Sequence, residues 1–535
     1  MRCGKAFYNK DMWPHTRAIF SEANREKTIS FPLKCAKLSL NPFRKDILTM
    51  KTITAFTAAV LAISAHAAIS NVAFKPSGVP AFIGLNNAEI SNKTFSIGTL
   101  TLTSDKASNF DKVKVNIEGT NARDLKNLRL GPTKGSVFGN TVTFNVPVNN
   151  GHCSYTVYAE VPETADLTRK IYIEGVPVRI GSIVTRPNQK IVDVNRTSKN
   201  FRIPGIVETN TGTLVAVFDN RFNHAGDLPA DITVGVSISK DKGVTWSPIR
   251  TAMDYKDLPG GHGIGDPAVL VDPSNNRIWI AALRAPKSGH PIWTSSKGTV
   301  DPKDCGQFIL SYSDNEGKTW SKPINITADV KRLANPDTAN WGLLFQGPGA
   351  GIAMKDGTLV FPAQIWGHKG GAPHHGVLVY SKDHGQTWTS SKAMPWGGSE
   401  STVAELPDGS LLLNTREGGG PATRITARTT DLGETWEKVN TDPLRQPGNL
   451  CQAAYLVLNG KLYFSNPNSG GRNTMTLRVS EDGGITWPRS VVYDPRNGAG
   501  YSSTCPVDGN SIGVIYEGTS DYHYFVRIPE ADLAQ

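Results

Sequence analysis

Tyr501 stands between Gly500 and Ser502, Asp227 lies six residues after Arg221 in Asp219-Asn220-Arg221, and Arg202 and Arg472 sit in Phe201-Arg202-Ile203-Pro204 and Gly470-Gly471-Arg472-Asn473. Each type could do chemistry. A phenol is a weak nucleophile at neutral pH and needs a general base beside it. A carboxyl can give a proton to a leaving oxygen and then take one from water. An arginine fork keeps its charge at every pH and grips a carboxylate through two hydrogen bonds. Each type also has an ordinary use. A lone arginine is usually a solvated surface charge, and a tyrosine beside glycine and serine is usually a strand or surface residue. The elements that carry these residues must decide between the two.

Those elements are announced by a repeat. Ser480-Glu481-Asp482-Gly483-Gly484-Ile485-Thr486-Trp487 has the pattern S-x-D-x-G-x-T-W, which recurs at Ser239–Trp246 and Ser381–Trp388. It recurs with Thr429 in the serine position at Thr429–Trp436, and with Asn315 in the aspartate position at Ser313–Trp320. Five of the 11 tryptophans occupy this slot, at spacings of 48 to 74 residues. An aspartate and a glycine two apart make a tight turn, and Thr-Trp favours the start of a strand. These aspartates are therefore read as turn formers rather than catalysts. A strand-rich repeat of this period is the signature of propeller blades.

The repeat resembles the Asp box of bacterial exo-sialidases (neuraminidases) of glycoside hydrolase family 33, and Phe201-Arg202-Ile203-Pro204 resembles that family's F/Y-R-I-P motif. The resemblance covers residues 186–535. It implies an all-β fold, a six-bladed β-propeller, preceded here by a smaller β-sandwich domain. It also implies roles. Arg202, Arg424 and Arg472 would clamp the substrate carboxylate, with Arg416 competing for the second place because Glu417–Pro421 looks inserted. Asp227 would be the acid/base, with Asp231 as rival, and Arg221 a further substrate contact. Tyr501 would be the nucleophile, since an anomeric carbon that already bears a carboxylate repels a carboxylate nucleophile. Glu405 would be its base, with Glu400 as runner-up. Glu517 would hold Arg202, and Asp266 would contact the sugar. No metal or organic cofactor is implied.

The rest of the chain frames this site. Residues 68–185 contain no Asp box and no tryptophan; alternating runs such as Phe95–Leu102, Lys112–Ile117 and Thr141–Val146, separated by turn clusters, predict a β-sandwich. Its role would be glycan binding or buttressing. Gly181–Asp193 reads as a linker. Residues 50–67 combine Met50-Lys51, an apolar run and Ala65-His66-Ala67, which reads as a signal peptide, and residues 1–49 as a mis-called or unstructured leader. The protein is expected to be secreted or periplasmic, without an integral membrane segment after cleavage. The formal charge is +10, but residues 1–67 hold 11 Lys/Arg against 4 Asp/Glu and no later basic run stands out, so nucleic acid is not an expected partner. Cys153, Cys305, Cys451 and Cys505 have no metal-ligand spacing; they are read as buried free thiols, with pairing as the alternative.

The reading is a retaining exo-α-sialidase acting on sialylated glycoproteins, glycolipids and oligosaccharides. The alternatives are a trans-sialidase or intramolecular trans-sialidase using the same site, with Trp341, Trp366 and Trp396 as loop aromatics near an acceptor, and, remotely, a non-catalytic sialoglycan-binding propeller.

Overall fold

The computed structural model describes residues 69–535 apart from 78–80, 84–93, 119–124, 163–164, 258–260, 287–291, 293–296, 332–340, 368–373, 417–423, 441–450, 499, 519–520 and 534–535. The expected leader and signal peptide, and the insertion at 417–421, lie outside these residues. The chain divides into two units, Met1–Ser64 and Ala65–Gln535, and every described residue belongs to the second.

The first described portion is two five-stranded sheets. One runs, in spatial order, Ile69–Pro76, Thr94–Ser104, Gly151–Glu160, Lys126–Leu130, Thr133–Lys134; the other Val176–Arg179, Lys170–Ile173, Ser108–Glu118, Thr141–Val148, Ser136–Phe138. Period-two alternation dictates this layering. On Thr141–Val148 every second residue, Val142, Phe144, Val146 and Val148, is buried, and they meet Leu100, Leu102, Val113 and Val115 in one core. That core continues into Phe201, Phe218, Trp246 and Phe525 of the following sheets.

Six sheets of four or five strands follow. Their first long strands are Asn200–Glu208, Gly261–Asp272, Trp341–Gln346, Ser401–Glu405, Ala454–Leu458 and Ser502–Val507. Neighbouring sheets touch in sequence, and Asn200–Glu208 also packs on Ser502–Val507, so the arrangement closes into a propeller ring. The Asp boxes are the mortar. In the last copy Asp482 accepts bonds from the N–H of Ile485 (3.1 Å) and Thr486 (2.9 Å), while Ser480 Oγ accepts from Gly484 N at 2.8 Å. Bonds from Thr435 and Thr429 hold the Asp431 carboxyl at a pKa of about 2. The turn glycines have positive φ, and two of them have no room for a side chain: a Cβ on Gly243 would meet Phe525 of the last sheet at 2.0 Å, and one on Gly385 would meet Trp279 of the preceding sheet at 2.2 Å. The box tryptophans reach the same seams, as Trp246 on Phe525 and Trp388 on Trp279 show, with ring centroids 5.5 and 5.7 Å apart.

Two expectations change here. Gly181–Thr185, read as linker, is a fully buried strand; it pairs antiparallel with His523–Pro529 and parallel with Ala81–Ile83. A five-residue buried run shows no alternation, so its strand character is invisible locally. Trp341 and Trp366, read as loop residues, lie on the strands Trp341–Gln346 and Leu359–Gly367; Trp396 is outside any strand and 38% exposed. The four cysteines are free: Cys305, Cys451 and Cys505 are buried and Cys153 is partly so. Among the described residues no helix is long and apolar enough to cross a membrane.

Candidate active site

The innermost strands begin at one end of the ring and finish at the other, and this polarity sorts the candidate residues. Arg202 opens the strand Asn200–Glu208. Glu400 and Tyr501 immediately precede Ser401–Glu405 and Ser502–Val507. Arg416 follows Leu411–Thr415, Asp227 lies in the loop between Leu214–Arg221 and Ile232–Ser239, and Arg472 in the loop between Lys461–Pro467 and Met475–Ser480. All six line one cleft of about 320 Å³, together with Phe345, Gln364, Trp366, His374 and Ser399.

At its floor Glu517, 2% exposed, accepts from Arg202 Nε at 2.6 Å, Ile203 N at 2.8 Å and Tyr501 N at 3.1 Å. Burial alone would raise the Glu517 carboxyl, but Arg202 and these donors outweigh it and its pKa is lowered. One carboxylate thus fixes both an arginine and the backbone of the tyrosine. The local sequence makes this possible at a cost. Ile203 has φ 63°, a region a β-branched residue rarely enters, and the ladder slips between Arg202 and Gly205. Gly205 has no room for a Cβ, which would lie 2.3 Å from Gly349 O. The bulge turns Arg202 toward the cleft.

The Tyr501 hydroxyl donates to Glu400 Oε1, and Arg416 Nη1 reaches the tyrosine oxygen at 3.2 Å and Glu400 Oε2 at 2.9 Å. Burial and the Glu400 charge hold the phenol well above its ordinary pKa, against the pull of Arg416. The phenol therefore holds its proton at neutral pH and points it at the Glu400 oxygen. The guanidinium carbons of Arg202 and Arg472 lie 5.4 and 5.6 Å from the Tyr501 ring centroid.

Three assignments from sequence are corrected. Glu405 is not the partner of Tyr501; Glu400 is. Glu400 precedes a five-residue strand that Glu405 ends, and a rise of about 3.3 Å per residue carries them to opposite ends of the ring. Glu405 lines a separate, largely apolar cavity of about 420 Å³ and accepts from Lys355 N at 2.9 Å. Arg424 is not in the cleft; Arg416 is. Arg424 bonds Asn414 Oδ1 at 2.5 Å and Cys451 O at 2.7 Å, and burial lowers its pKa to about 10. Arg221, expected as a substrate contact, is 0% exposed and does not line the cleft. Its Nη2 donates to Asp219 Oδ2 at 2.9 Å and its Nη1 to Asp227 Oδ1 at 2.9 Å, so it positions Asp227.

Asp227, 56% exposed at its side chain, faces the cleft from the Arg221 fork. Asp231, its rival, is bound by Arg196 and by Tyr255 at 3.3 Å outside the cleft. Asp266, at φ 54°, is 9% exposed and does not line the cleft; its N–H donates to Asp219 Oδ1 at 2.9 Å. Burial and the Asp219 and Asp227 carboxylates push its own pKa well up. Asp219, which anchors Arg221 and Asp266, went unnoticed, as did Gln364 and His374. Gln364 Oε1 accepts from Trp366 Nε1 at 3.0 Å, and Trp366 stacks on His374 with centroids 3.6 Å apart. The alternation Gln364-Ile365-Trp366 on a strand was the available signal.

A box-studded propeller with arginines gathered at one mouth defines a protein class, and the model of the BNR repeat-like domain family matches residues 212–516. A Bacteroides fragilis sialidase is 38% identical over 352 residues, 63% of this chain and 63% of that protein. A Clostridium perfringens sialidase is 31% identical over 349 residues, 61% of this chain and 88% of that one. Among solved structures, a Hadza microbial sialidase superposes with a TM-score of 0.71 at 28% identity, over 86% of this chain and 100% of that chain. The chain belongs to the sialidase family. It spans about 63% of the length of the Bacteroides fragilis relative.

Proposed function

We propose that the chain is a secreted, six-bladed retaining exo-α-sialidase that releases terminal sialic acid from sialylated glycoconjugates. The observation that carries this reading is the Tyr501–Glu400 hydrogen bond, ringed by Arg202, Arg416 and Arg472 and faced by Asp227. The three guanidinium groups suit an anionic sugar whose carboxylate sits on the reacting carbon. Asp227 protonates the leaving oxygen. Glu400 takes the phenol proton as Tyr501 attacks the anomeric carbon, and Arg416 stabilises the charge that develops on the phenol oxygen. Asp227, now a carboxylate, then takes a proton from water, which cleaves the tyrosyl bond and releases the sugar with its configuration retained.

The test is hydrolysis of a fluorogenic α-sialoside by residues 68–535, beside Tyr501→Phe, with the released sugar followed by NMR. Release of the α-anomer, lost in the variant, supports the proposal. An anhydro sugar or a sialylated acceptor moves the reading to transfer, and binding without turnover leaves a lectin.

A further inference from the structure

Away from the cleft, one buried pair of reactive side chains has no part in the chemistry above. Lys331 ends the helix Thr327–Lys331, and Cys305 lies just before the strand Gln307–Ser313. Both are 0% exposed. Lys331 Nζ is 3.0 Å from Cys305 Sγ, and also donates to Lys297 O at 3.2 Å and to Thr299 O. The thiol in turn faces Gly306 O at 3.1 Å and Gly342 O at 3.3 Å. Fully buried lysines are rare unless paired, and none of these three partners is a carboxylate. Burial moves the amine's pKa down, against the pull of Cys305, which favours the neutral form. An amine 3.0 Å from a thiol places a nitrogen that is nucleophilic once deprotonated beside an oxidisable sulfur.

We propose that Cys305 and Lys331 form an oxidation-responsive crosslinking pair. A peroxide transfers one oxygen to the thiol: the O–O bond breaks, sulfur loses two electrons, and water and a sulfenic acid result. Lys331 Nζ then attacks that sulfur. An S–N bond forms, the S–O bond breaks, and the hydroxyl leaves as water with a proton from the amine. The product is a sulfenamide two hydrogens lighter than the starting pair. At 0% exposure neither side chain meets solvent, so peroxide reaches the pair when the surrounding fold opens locally. The bond would tie the helix Thr327–Lys331 to the segment that leads into the strand Gln307–Ser313. Val330 O accepts from Ser390 Oγ at 2.6 Å, and Gly342, against the thiol, belongs to the strand that carries Phe345 into the cleft.

The experiment treats the full chain with hydrogen peroxide, then maps peptides under non-reducing conditions with and without dimedone, beside Lys331→Met, Lys331→Arg and Cys305→Ala. The expected result is a linked peptide holding residues 305 and 331, lighter by two hydrogens, and a rise in Tm that Cys305→Ala abolishes. The lysine variants, checked for folding by near-ultraviolet circular dichroism and unfolded in dimedone once the peroxide is removed, should trap Cys305 as the dimedone adduct instead. A thiol that stays reduced in the folded parent, a sulfinic acid beside an unmodified Lys331, or a linked peptide heavier by one oxygen would each overturn the S–N assignment.

Discussion

Tyr501 and Glu400 come from different sheets of the ring, yet the hydroxyl of one donates directly to the carboxylate of the other, and Arg416 bridges both oxygens. Each residue stands one place before an innermost strand, so the ring closure sets their separation. Glu400→Gln should lower kcat/KM for an α-sialoside about 10²- to 10⁴-fold, the range for loss of a general base. Glu405→Gln, at the far mouth, should stay within about twofold by the same reasoning. Steady-state kinetics of both variants decides which glutamate serves the phenol.

The two competing arginines separate by a split of KM from stability. Arg416→Lys keeps the charge but loses the planar fork, and should raise KM about tenfold or more, a charge-assisted bond being worth roughly 1.5–3 kcal/mol. Arg424→Met removes a guanidinium that is enclosed by protein, with Nη2 unpartnered among the described residues. It should leave KM of the folded enzyme unchanged and move only Tm, read by kinetics beside thermal unfolding.

Asp227 is exposed toward the cleft and held by Arg221. If it protonates the leaving oxygen, Asp227→Asn should depress turnover of an alkyl sialoside about 10²- to 10⁴-fold. A sialoside with a nitrophenolate leaving group, which departs without a proton, should be affected much less. Equal losses on both substrates would remove Asp227 from the acid role.

Removing the shared anchor should cost stability as well as rate. Glu517→Leu strands Arg202 with its guanidinium largely buried, and breaking such a pair costs about 3–5 kcal/mol. The measurement is urea unfolding followed by tryptophan fluorescence. A change below about 1 kcal/mol would show that water replaces the carboxylate.

His523 should set part of the acid sensitivity. It lies opposite Glu517 in the sheet, is 0% exposed, and among the described residues has no hydrogen-bond partner on either ring nitrogen. Burial lowers its pKa to about 4; Glu517 opposes this, while Arg202 and Arg221 add to it. Between about pH 6.5 and 4 the unfolded chain therefore binds a proton that the folded chain refuses, so stability falls as pH drops through that window. The full loss is about 3 kcal/mol at 1.36 kcal/mol per pH unit. Unfolding free energies at pH 7 and 4.5 should differ less in His523→Gln than in the parent.

Local sequence determined a good deal. The Asp boxes announced their own turns, because Ser-x-Asp-x-Gly-x-Thr-Trp closes its hydrogen bonds within eight residues, as Ser480–Trp487 does. The Arg-Ile-Pro stretch, Asp227, Arg472, Tyr501 and Glu517 could be named from motifs and their distance to those turns. The choice between Glu400 and Glu405, or between Arg416 and Arg424, could not. Each pair straddles one strand or one hairpin, and short-range pattern does not say which end of the strand faces the mouth where Tyr501 lies. Gly181–Thr185 escaped for the same reason: its partner, His523–Pro529, is more than 300 residues away. Chemistry that depends on residue type and a local turn is written in the sequence. Chemistry that depends on which carboxylate meets which phenol is decided by closure of the ring, where contacts among distant segments set the geometry.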